Sequence, residues 1–165
     1  VRGATWTEID LKEKVWVVPA ERMKAKREHR VPLSSDAVQV LKGMSPKPTG
    51  LIFQAPRGGP LSDMSLTEVM RRMKREEVPH GFRSTFGDWV GERTTYPREI
   101  AEQALAHTLE SKVEAAYRRG DALERRRPMM DDWDKYCGSA RTAKSPESMA
   151  EIMRDFIASN SPRTI

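Results

Sequence analysis

The sequence predicts a mainly α-helical α+β fold that carries a small antiparallel β-sheet near its N-terminus. Two stretches, "KVWVVP" and "HRVPL", are rich in β-branched and aromatic residues, as strands are. From Ser34 onward, apolar residues recur instead at helical spacing. A chain of 165 residues is long enough for one compact domain with a real core and a tail.

The β structure is expected between residues 5 and 33. "KVWVVP" and "HRVPL" pair across the turn "AERMKAKRE", and "TEIDL" is a candidate third strand. The turn carries four cations within six positions, which predicts a dense positive tip: Arg22, Lys24, Lys26 and Arg27.

Four helices are expected to follow the sheet and its loops. Ser34 or Ser35 caps "DAVQVLKGM", and "LIF" is a short buried segment. "SLTEVMRRMKREE" shows a capping-box pattern at its first and fourth residues, Ser65 and Glu68. "HGFRSTFGDW" predicts a helix that buries Phe82, Phe86 and either Trp89 or Val90, and "PREIAEQALAH" a helix with Pro97 in its first turn.

The last third predicts three more helices. "SKVEAAYRRG" is short and ends at Gly120, whereas "DALERRRPMMDDWDKYCG" is longer and should be kinked or split by Pro128. A polar linker and a final amphipathic helix follow. We therefore expect one domain over residues 1–137, with the linker and last helix over 138–165.

Charge and cysteine content limit the function classes. Lys and Arg number 29 against 24 Asp and Glu, which gives a net charge of +5, a pI near 9.5 and a preference for polyanionic partners. Cys137 is the single cysteine, so an internal disulfide framework and a cysteine zinc site are both excluded. No apolar run suits a membrane span and no signal peptide is recognisable, so a cytoplasmic setting without membrane, metal or cofactor is expected.

A small set of reactive residues follows one order along the chain. Lys24 in the basic turn precedes His80 and Arg83, which share a helix face, and His107 and Tyr117 come later. A single histidine is more often a surface or packed residue than a catalyst. Together, however, these groups could cleave a phosphodiester, because a tyrosine hydroxyl can attack a phosphate that cations hold while neighbouring groups move protons.

Five blocks carry a specific resemblance. "WTEIDL", "ERMKAKREHRVPLS", "HGFRSTFGDW", "ALAH" and "VEAAYRRGDALERRRPMMDDW" together resemble the catalytic domain of tyrosine recombinases, in particular the integrases of P4-like prophages and genomic islands. The likeness runs from about residue 4 to about residue 137. It implies a site-specific recombinase that integrates and excises prophage or island DNA.

The resemblance also implies roles for the reactive residues. Tyr117 would be the nucleophile that forms a 3′-phosphotyrosyl bond with DNA. Arg83 would bind the nonbridging oxygens of the scissile phosphate, for which the planar guanidinium fork is suited. His80 would assist proton transfer at the tyrosine, and His107 would donate a hydrogen bond to the phosphate.

The basic turn would supply the general acid. Lys24 lies seven positions before Val31, as the lysine of the family does, and would protonate the leaving 5′ oxygen, with Lys26 as the competing candidate. Further contacts to the DNA backbone are expected from Lys26, Arg27, Arg118 and Arg119. Arg118 and Arg119 have the alternative role of stabilising a helix end.

One residue of the family pattern is not present in the chain. The first catalytic arginine, in a block resembling Arg-x-Gly-Glu, would fall before Val1, and Arg2 lies in the block that follows it. The arm-binding and core-binding domains would precede Val1 as well. Because loss of one charged donor at a developing anion costs about 10²- to 10³-fold, we expect this polypeptide to be nearly inactive alone even if its parent protein is active.

The expected partner is double-stranded DNA at attachment sites. The resemblance implies four protomers on two DNA sites, with the last helix packing on a neighbouring protomer and the isolated fragment monomeric. Two other functions remain open: a DNA-binding remnant or regulatory module without catalysis, and a type IB topoisomerase-like strand transferase. Packing roles are expected for Tyr96 and Tyr136, and a solvated strand position for His29.

Overall fold

The computed structural model describes residues 1–44, 46–107 and 120–142, with side chains up to Ser139 in the last helix. Two predicted helices, in "SKVEAAYRRG" and after Ser145, lie outside the described residues. The α+β fold is confirmed. The elements are β1 (Ile9–Asp10), β2 (Val15–Val18), β3 (His29–Pro32), α1 (Ser35–Gly43), α2 (Ser65–Arg72), α3 (Gly81–Arg93), α4 (Arg98–Ala104) and α5 (Leu123–Thr142).

The sheet is antiparallel throughout, in the order β1-β2-β3. Trp16 of β2 pairs with Ile9 on one side and with Val31 on the other. The third strand predicted from "TEIDL" is present but only two residues long, because the chain first makes a 3-10 turn at Trp6–Glu8. The turn between β2 and β3 therefore projects from a hairpin that is paired along four residues.

One hydrophobic cluster lies beneath the sheet. Backbone hydrogen bonds from Trp6 to Gly50 and from Ile52 to Ala4 join the N-terminal segment to the predicted "LIF" segment. Ser34, one of the two predicted caps, accepts a hydrogen bond from the amide of Ala37 and begins α1 over this cluster. Its buried members are Ala4, Trp6, Leu41 and Ile52.

A second hydrophobic cluster is formed by α3, α4 and α5. The Phe86 and Trp133 rings meet edge to face with their centroids 5.3 Å apart, and Trp89 lies 5.2 Å from Trp133. Such pairs add about 0.5–1.5 kcal/mol to the gain from burial. The buried members are Phe86, Trp89, Val90, Ile100, Ala101 and Met129.

Helix α5 joins the two clusters because it packs on β3, α1 and α4. Its Arg126 is 1% exposed and donates to the carbonyl of Arg30 in β3, and its Asp134 accepts from the amide of Asp36 in α1. The predicted split at Pro128 does not occur, since the helix continues through it. The packing of Met129 and Trp133 compensates for the one helical hydrogen bond that the proline removes.

Three local expectations are wrong. The predicted capping box is absent: α2 begins after Met64 without a side-chain cap, the Ser65 hydroxyl contacts that of Ser62, and Glu68 pairs with Arg71. This helix also ends at Arg72, five residues earlier than its sequence suggests. Phe82 is 56% exposed rather than buried, because α3 turns only its later apolar residues toward α5.

Candidate active site

The C-terminal end of α4 is the structural centre of the candidate site. After Leu105 the chain takes a left-handed turn at Ala106 (φ 52°). The amide of Ala106 donates to the carbonyl of Gln103, and that of His107 donates to the carbonyl of Glu102, at 3.0 and 2.9 Å. These two bonds define a Schellman motif, which fixes the backbone of His107 on the last turn of the helix.

The same turn brings the His107 side chain onto Glu102. The Glu102 carboxylate contacts Nδ1 of the imidazole, and this bond lowers the pKa of Glu102. Nε2 is then the nitrogen left for an external group.

Arg83 reaches the same helix end from α3. Its Nη2 donates to the carbonyl of Leu105 at 2.5 Å, two residues before His107. This carbonyl belongs to the C-terminal end of a helix, where partial negative charge attracts a cation. A guanidinium has five N–H donors, so one carbonyl contact leaves others for an anion. The structure therefore brings Arg83 and His107 to one place.

His80 lies one turn before Arg83 at the N-cap position of α3. It is exposed, and its side chain makes no capping hydrogen bond. Because His80 and Arg83 are three residues apart at the start of a helix, their side chains share a face, as the sequence indicates.

The basic turn is anchored at both ends while its tip is exposed. At one end Arg22 pairs with Glu8, a carboxylate that is only 12% exposed and also accepts from the indole of Trp16. At the other end the His29 side chain lies beside the backbone of Ala104 at the end of α4. Between these anchors lie the exposed side chains of Lys24, Lys26 and Arg27. This places the turn beside the α4 end.

The solvated position expected for His29 is wrong. The side chain is partly buried, because it lies beside the backbone of Ala104 at the end of α4. Desolvation and the nearby Arg126 charge lower the pKa of His29. At neutral pH the ring is therefore neutral and acts as a link between the hairpin and α4.

Tyr117, Arg118 and Arg119 lie outside the described residues, which resume at Gly120. Asp121, the next residue, pairs through both carboxylate oxygens with Arg30, at 2.7 Å each. Arg30 directly follows His29, which reaches the end of α4.

The other two tyrosines have packing roles. The Tyr96 hydroxyl donates to Asp132 at 2.7 Å, and burial and this hydrogen bond raise its pKa to about 12. A phenol with such a pKa is a poor nucleophile near neutral pH. Tyr136 stacks on Trp133 with ring centroids 5.6 Å apart.

Three carboxylates at the site were missed by reasoning from the sequence. Glu102 holds His107, Glu8 holds Arg22 at the start of the basic turn, and Asp121 holds Arg30 of β3. No spacing rule identifies Glu8 or Asp121, because their partners are 14 and 91 residues away. For Glu102 the sequence does carry a signal, because it lies only five residues before His107 at the end of a predicted helix.

The described residues contain neither a metal-binding cluster nor a membrane-spanning helix. Within residues 1–44, 46–107 and 120–142, no group of three or more His, Cys, Asp or Glu side chains is arranged to hold a metal ion. Helices of the length and apolarity needed to cross a membrane are likewise absent from these ranges.

Most of the chain is similar in sequence to known proteins. The model of the phage integrase family matches residues 1–124. Prophage integrase IntA of Escherichia coli K12 is 40% identical over 136 residues, which cover 79% of this chain and 33% of the relative. The integrase of enterobacteria phage P4 is 28% identical over 98% of this chain and 42% of its own length.

A third relative, prophage integrase IntZ of the same bacterium, is 31% identical over 81% of this chain and 34% of its own length. The chain therefore spans about a third of the length of the first curated relatives it matches. No solved structure matches the chain.

Proposed function

The chain belongs to the phage integrase family, and from this premise we propose that it supplies catalytic residues of a site-specific DNA recombinase. The substrate is double-stranded DNA at the attachment sites of a prophage or genomic island, and the outcome is integration or excision. The observation that carries the proposal is the meeting of Arg83, His107 and the basic turn at one end of α4.

The proposed reaction is a transfer of the DNA backbone to tyrosine. The phenolic oxygen of Tyr117 attacks the scissile phosphorus, a bond to the 3′-phosphate forms, and the bond to the 5′ oxygen breaks. His80 assists removal of the phenolic proton, while Lys24 donates a proton to the departing 5′ oxygen. Attack by a 5′-hydroxyl on the phosphotyrosine then reverses the exchange and needs no ATP.

Charge stabilisation comes from the α4 end. Arg83 and His107 would hold the nonbridging oxygens, on which negative charge grows during attack. Both side chains are already held by the protein, through Leu105 and Glu102 respectively, so little reorganisation is needed when the phosphate arrives. Neither role calls for a metal ion. The net charge of +5 favours the approach of DNA.

The assembly is part of the same proposal. Four protomers would act on two DNA sites, and the last helix, within residues 138–165, would pack on a neighbour. The DNA backbone would also be contacted by Lys26, Arg27, Arg118 and Arg119. Each phosphate contact would make the logarithm of the affinity fall with that of the salt concentration, with a slope of about 0.9 per contact.

The experiment that tests the chemistry is trapping of the covalent intermediate. Nicked duplexes from the two ends of the element that carries the gene are incubated with the 165-residue chain and, separately, with the protein encoded by the complete reading frame that contains it. The protein from the complete reading frame should yield a DNA adduct stable to denaturation, whereas the 165-residue chain should yield little. Tyr117→Phe should abolish the adduct because it removes only the attacking oxygen.

The chain offers matched controls for this test. Tyr96→Phe and Tyr136→Phe also remove one hydroxyl each and should retain the adduct. Persistence of the adduct in Tyr117→Phe would mean that the nucleophile is misassigned. Salt-dependent binding of DNA with no adduct from the complete reading frame would favour the non-catalytic DNA-binding module.

A further inference from the structure

The contact between β3 and α5 connects the basic turn to the helices. β3 lies at the edge of the sheet, and its contact with α5 is the most extensive one between the sheet and a helix among the described elements. Helix α5 also packs on α4, at whose end Arg83 and His107 meet. The position of the basic turn relative to these two residues therefore depends on how β3 is held on α5.

Arg30 in β3 is held at both its backbone and its side chain. Arg126 of α5 donates from Nη2 to the Arg30 carbonyl at 2.7 Å. The Arg30 guanidinium makes two hydrogen bonds of 2.7 Å to Asp121, a contact that fixes orientation as well as distance. Asp121 in turn accepts from the amide of Leu123, the first residue of α5. Because Arg30 is only six residues after Lys24, these contacts lie at the end of β3 nearest the basic turn.

Arg126 is buried more deeply than a surface ion pair would require. Its side chain is 1% exposed, and its Nε and Nη1 have no hydrogen-bond partner within the part of the chain that the structure describes. The Asp121 carboxylate, 3.5 Å away, is the anion beside it. A charge buried in this way is weak evidence for stability, because desolvation offsets the attraction. What the arginine does supply is a fixed donor to the backbone of β3.

The next residue of α5 makes a similar contact at the other end of the hairpin. Arg127 donates from Nη1 to the carbonyl of Lys14 at 3.4 Å, and its side chain is 28% exposed. Lys14 directly precedes β2, whose first residue pairs with the last residue of β3. Two adjacent arginines thus contact opposite ends of one hairpin, and the Arg126 contact is the one near the turn.

Resting on the proposed function, we propose that Arg126 is a positioning residue for proton donation by Lys24. Through the Arg30 carbonyl, and with Asp121 as its counter-ion, it holds the turn-proximal end of β3 on α5. This sets the direction in which the basic turn leaves the sheet toward the end of α4. Lys24 itself is exposed, so Arg126 acts on it through the strand.

A positioning role for Lys24 makes the effect of Arg126 depend on the leaving group. A displacement of about 1 Å at a reacting group can cost 10²-fold in rate. A misplaced Lys24 matters only when the leaving atom needs its proton. DNA with sulfur in place of the bridging 5′ oxygen removes that need, because a thiol with a pKa near 8.5 leaves without an added proton. A general loss of folding would slow the reaction of both substrates.

The first test measures single-turnover adduct formation at saturating DNA, with the protein encoded by the complete reading frame. Arg126→Met removes the donor and puts an unbranched apolar side chain in the buried position, a kind of replacement that is often tolerated. Arg30→Gln removes the two bonds to Asp121. Both variants should be slowed about 10- to 100-fold on ordinary DNA and should match wild type on the sulfur substrate.

Arg127→Gln is the matched control, because it removes the neighbouring arginine and the contact far from the turn. It should match wild type on both substrates. In a Lys24→Ala background, Arg126→Met should cause no further loss on ordinary DNA, since the group that it positions is gone. If Arg126→Met fails to fold, Arg30→Gln carries the test, because the Arg30 side chain is 45% exposed.

The second test does not depend on catalysis. Hydrogen exchange of the same proteins without DNA, measured by mass spectrometry, reports local opening of β3. The β3 amides should exchange several-fold faster in Arg126→Met and Arg30→Gln than in wild type and Arg127→Gln. Exchange in α3 and α4 should be unchanged.

The two tests separate the possible failures. Equal losses on both substrates would overturn the positioning role, because Arg126 would then support the fold in general. A wild-type adduct with unchanged rates in Arg126→Met and Arg30→Gln would keep the recombinase and overturn the role as well. Absence of a wild-type adduct on both substrates would reject the proposed function. Faster exchange of β3 would in that case still support the hold of α5 on the hairpin, and unchanged exchange would reject it too.

Discussion

The two halves of the candidate site are held in different ways. At the end of α4, Arg83 and His107 are fixed by hydrogen bonds to Leu105 and Glu102. In the other half, Lys24 and His80 are exposed, and the contacts that place them are made by neighbouring residues at the ends of their segments. The groups proposed to bind the phosphate are thus preorganised, whereas those proposed to move protons stay accessible.

This difference has a physical reason. A charge-stabilising group works best when it needs no reorganisation as negative charge develops. A proton donor or acceptor must instead meet an atom whose position changes during the reaction, and must exchange its proton with solvent afterwards. Positions in the fixed half should therefore tolerate substitution least. In the exposed half, the effect of a substitution on the rate should depend on the leaving group of the substrate.

The largest effect is expected at Arg83. Arg83→Lys keeps the charge but loses the planar fork that spans both the Leu105 carbonyl and a phosphate oxygen. The single-turnover rate of adduct formation should fall about 10²- to 10³-fold. Arg93→Lys, at an exposed position near the other end of α3, is the matched control and should have no effect. An unchanged rate in Arg83→Lys would remove Arg83 from the fixed half.

The next effect separates Lys24 from Lys26. Lys24→Ala should slow adduct formation about 10²-fold on ordinary DNA. It should recover on a substrate with sulfur in place of the bridging 5′ oxygen, because a thiol with a pKa near 8.5 leaves without an added proton. At saturating DNA, Lys26→Ala should form the adduct at the wild-type rate on both substrates, although its binding of DNA should be weaker. The reverse pattern would assign the general acid to Lys26.

A smaller loss is expected when the support of His107 is weakened. Glu102→Gln keeps an oxygen that can accept from the imidazole but replaces a charge-assisted hydrogen bond by a neutral one. Since a hydrogen bond to a charged group contributes about 1.5–3 kcal/mol and a neutral one about 0.5–1.5 kcal/mol, the difference of about 1–1.5 kcal/mol should lower the adduct rate by about 5- to 10-fold. Glu99→Gln, an exposed position on the same helix, is the control. Equal rates in both variants would show that the Schellman turn alone positions His107.

The pH dependence of folding stability also tests the Glu102–His107 pair. The pKa of Glu102 is below its usual value in the folded chain, chiefly because of the His107 hydrogen bond, so the unfolded state binds the proton more readily. The resulting stability is present above the ordinary carboxyl pKa and is lost as the pH falls through the lowered value. Urea denaturation across this range should show a shallower loss in Glu102→Gln than in wild type.

Short-range patterns in the sequence were sufficient for most of the fold. Strand composition located the hairpin, and the Ser34 cap and the helical face shared by His80 and Arg83 follow from spacing alone. The capping box at Ser65 was wrong because a neighbouring serine, Ser62, takes the hydroxyl contact. Phe82 was misplaced because periodicity identifies a face but not how far along the helix that face is covered.

The residues that hold the proposed catalytic side chains in place were harder to predict from the sequence. Motifs identify the residue types that react, but Arg30 and Asp121 meet only after β3 and α5 have packed. Glu102 and His107 are five residues apart, a spacing that a continuous helix does not bring together. They meet because the chain leaves the helix through a left-handed residue at Ala106, a conformation that alanine does not signal.

That left-handed residue provides the smallest and most local test of the fixed half. Ala106→Gly should raise the free energy of unfolding by about 1 kcal/mol, because glycine adopts φ 52° without the steric cost that a Cβ imposes. Ala104→Gly, two residues earlier and inside α4, should lower it by about 1 kcal/mol. Adduct formation should be unchanged in Ala106→Gly, since both amide bonds of the turn remain. A loss of stability in Ala106→Gly would mean that His107 is not held by this turn, and the distinction between the fixed and exposed halves would then depend on Glu102 alone.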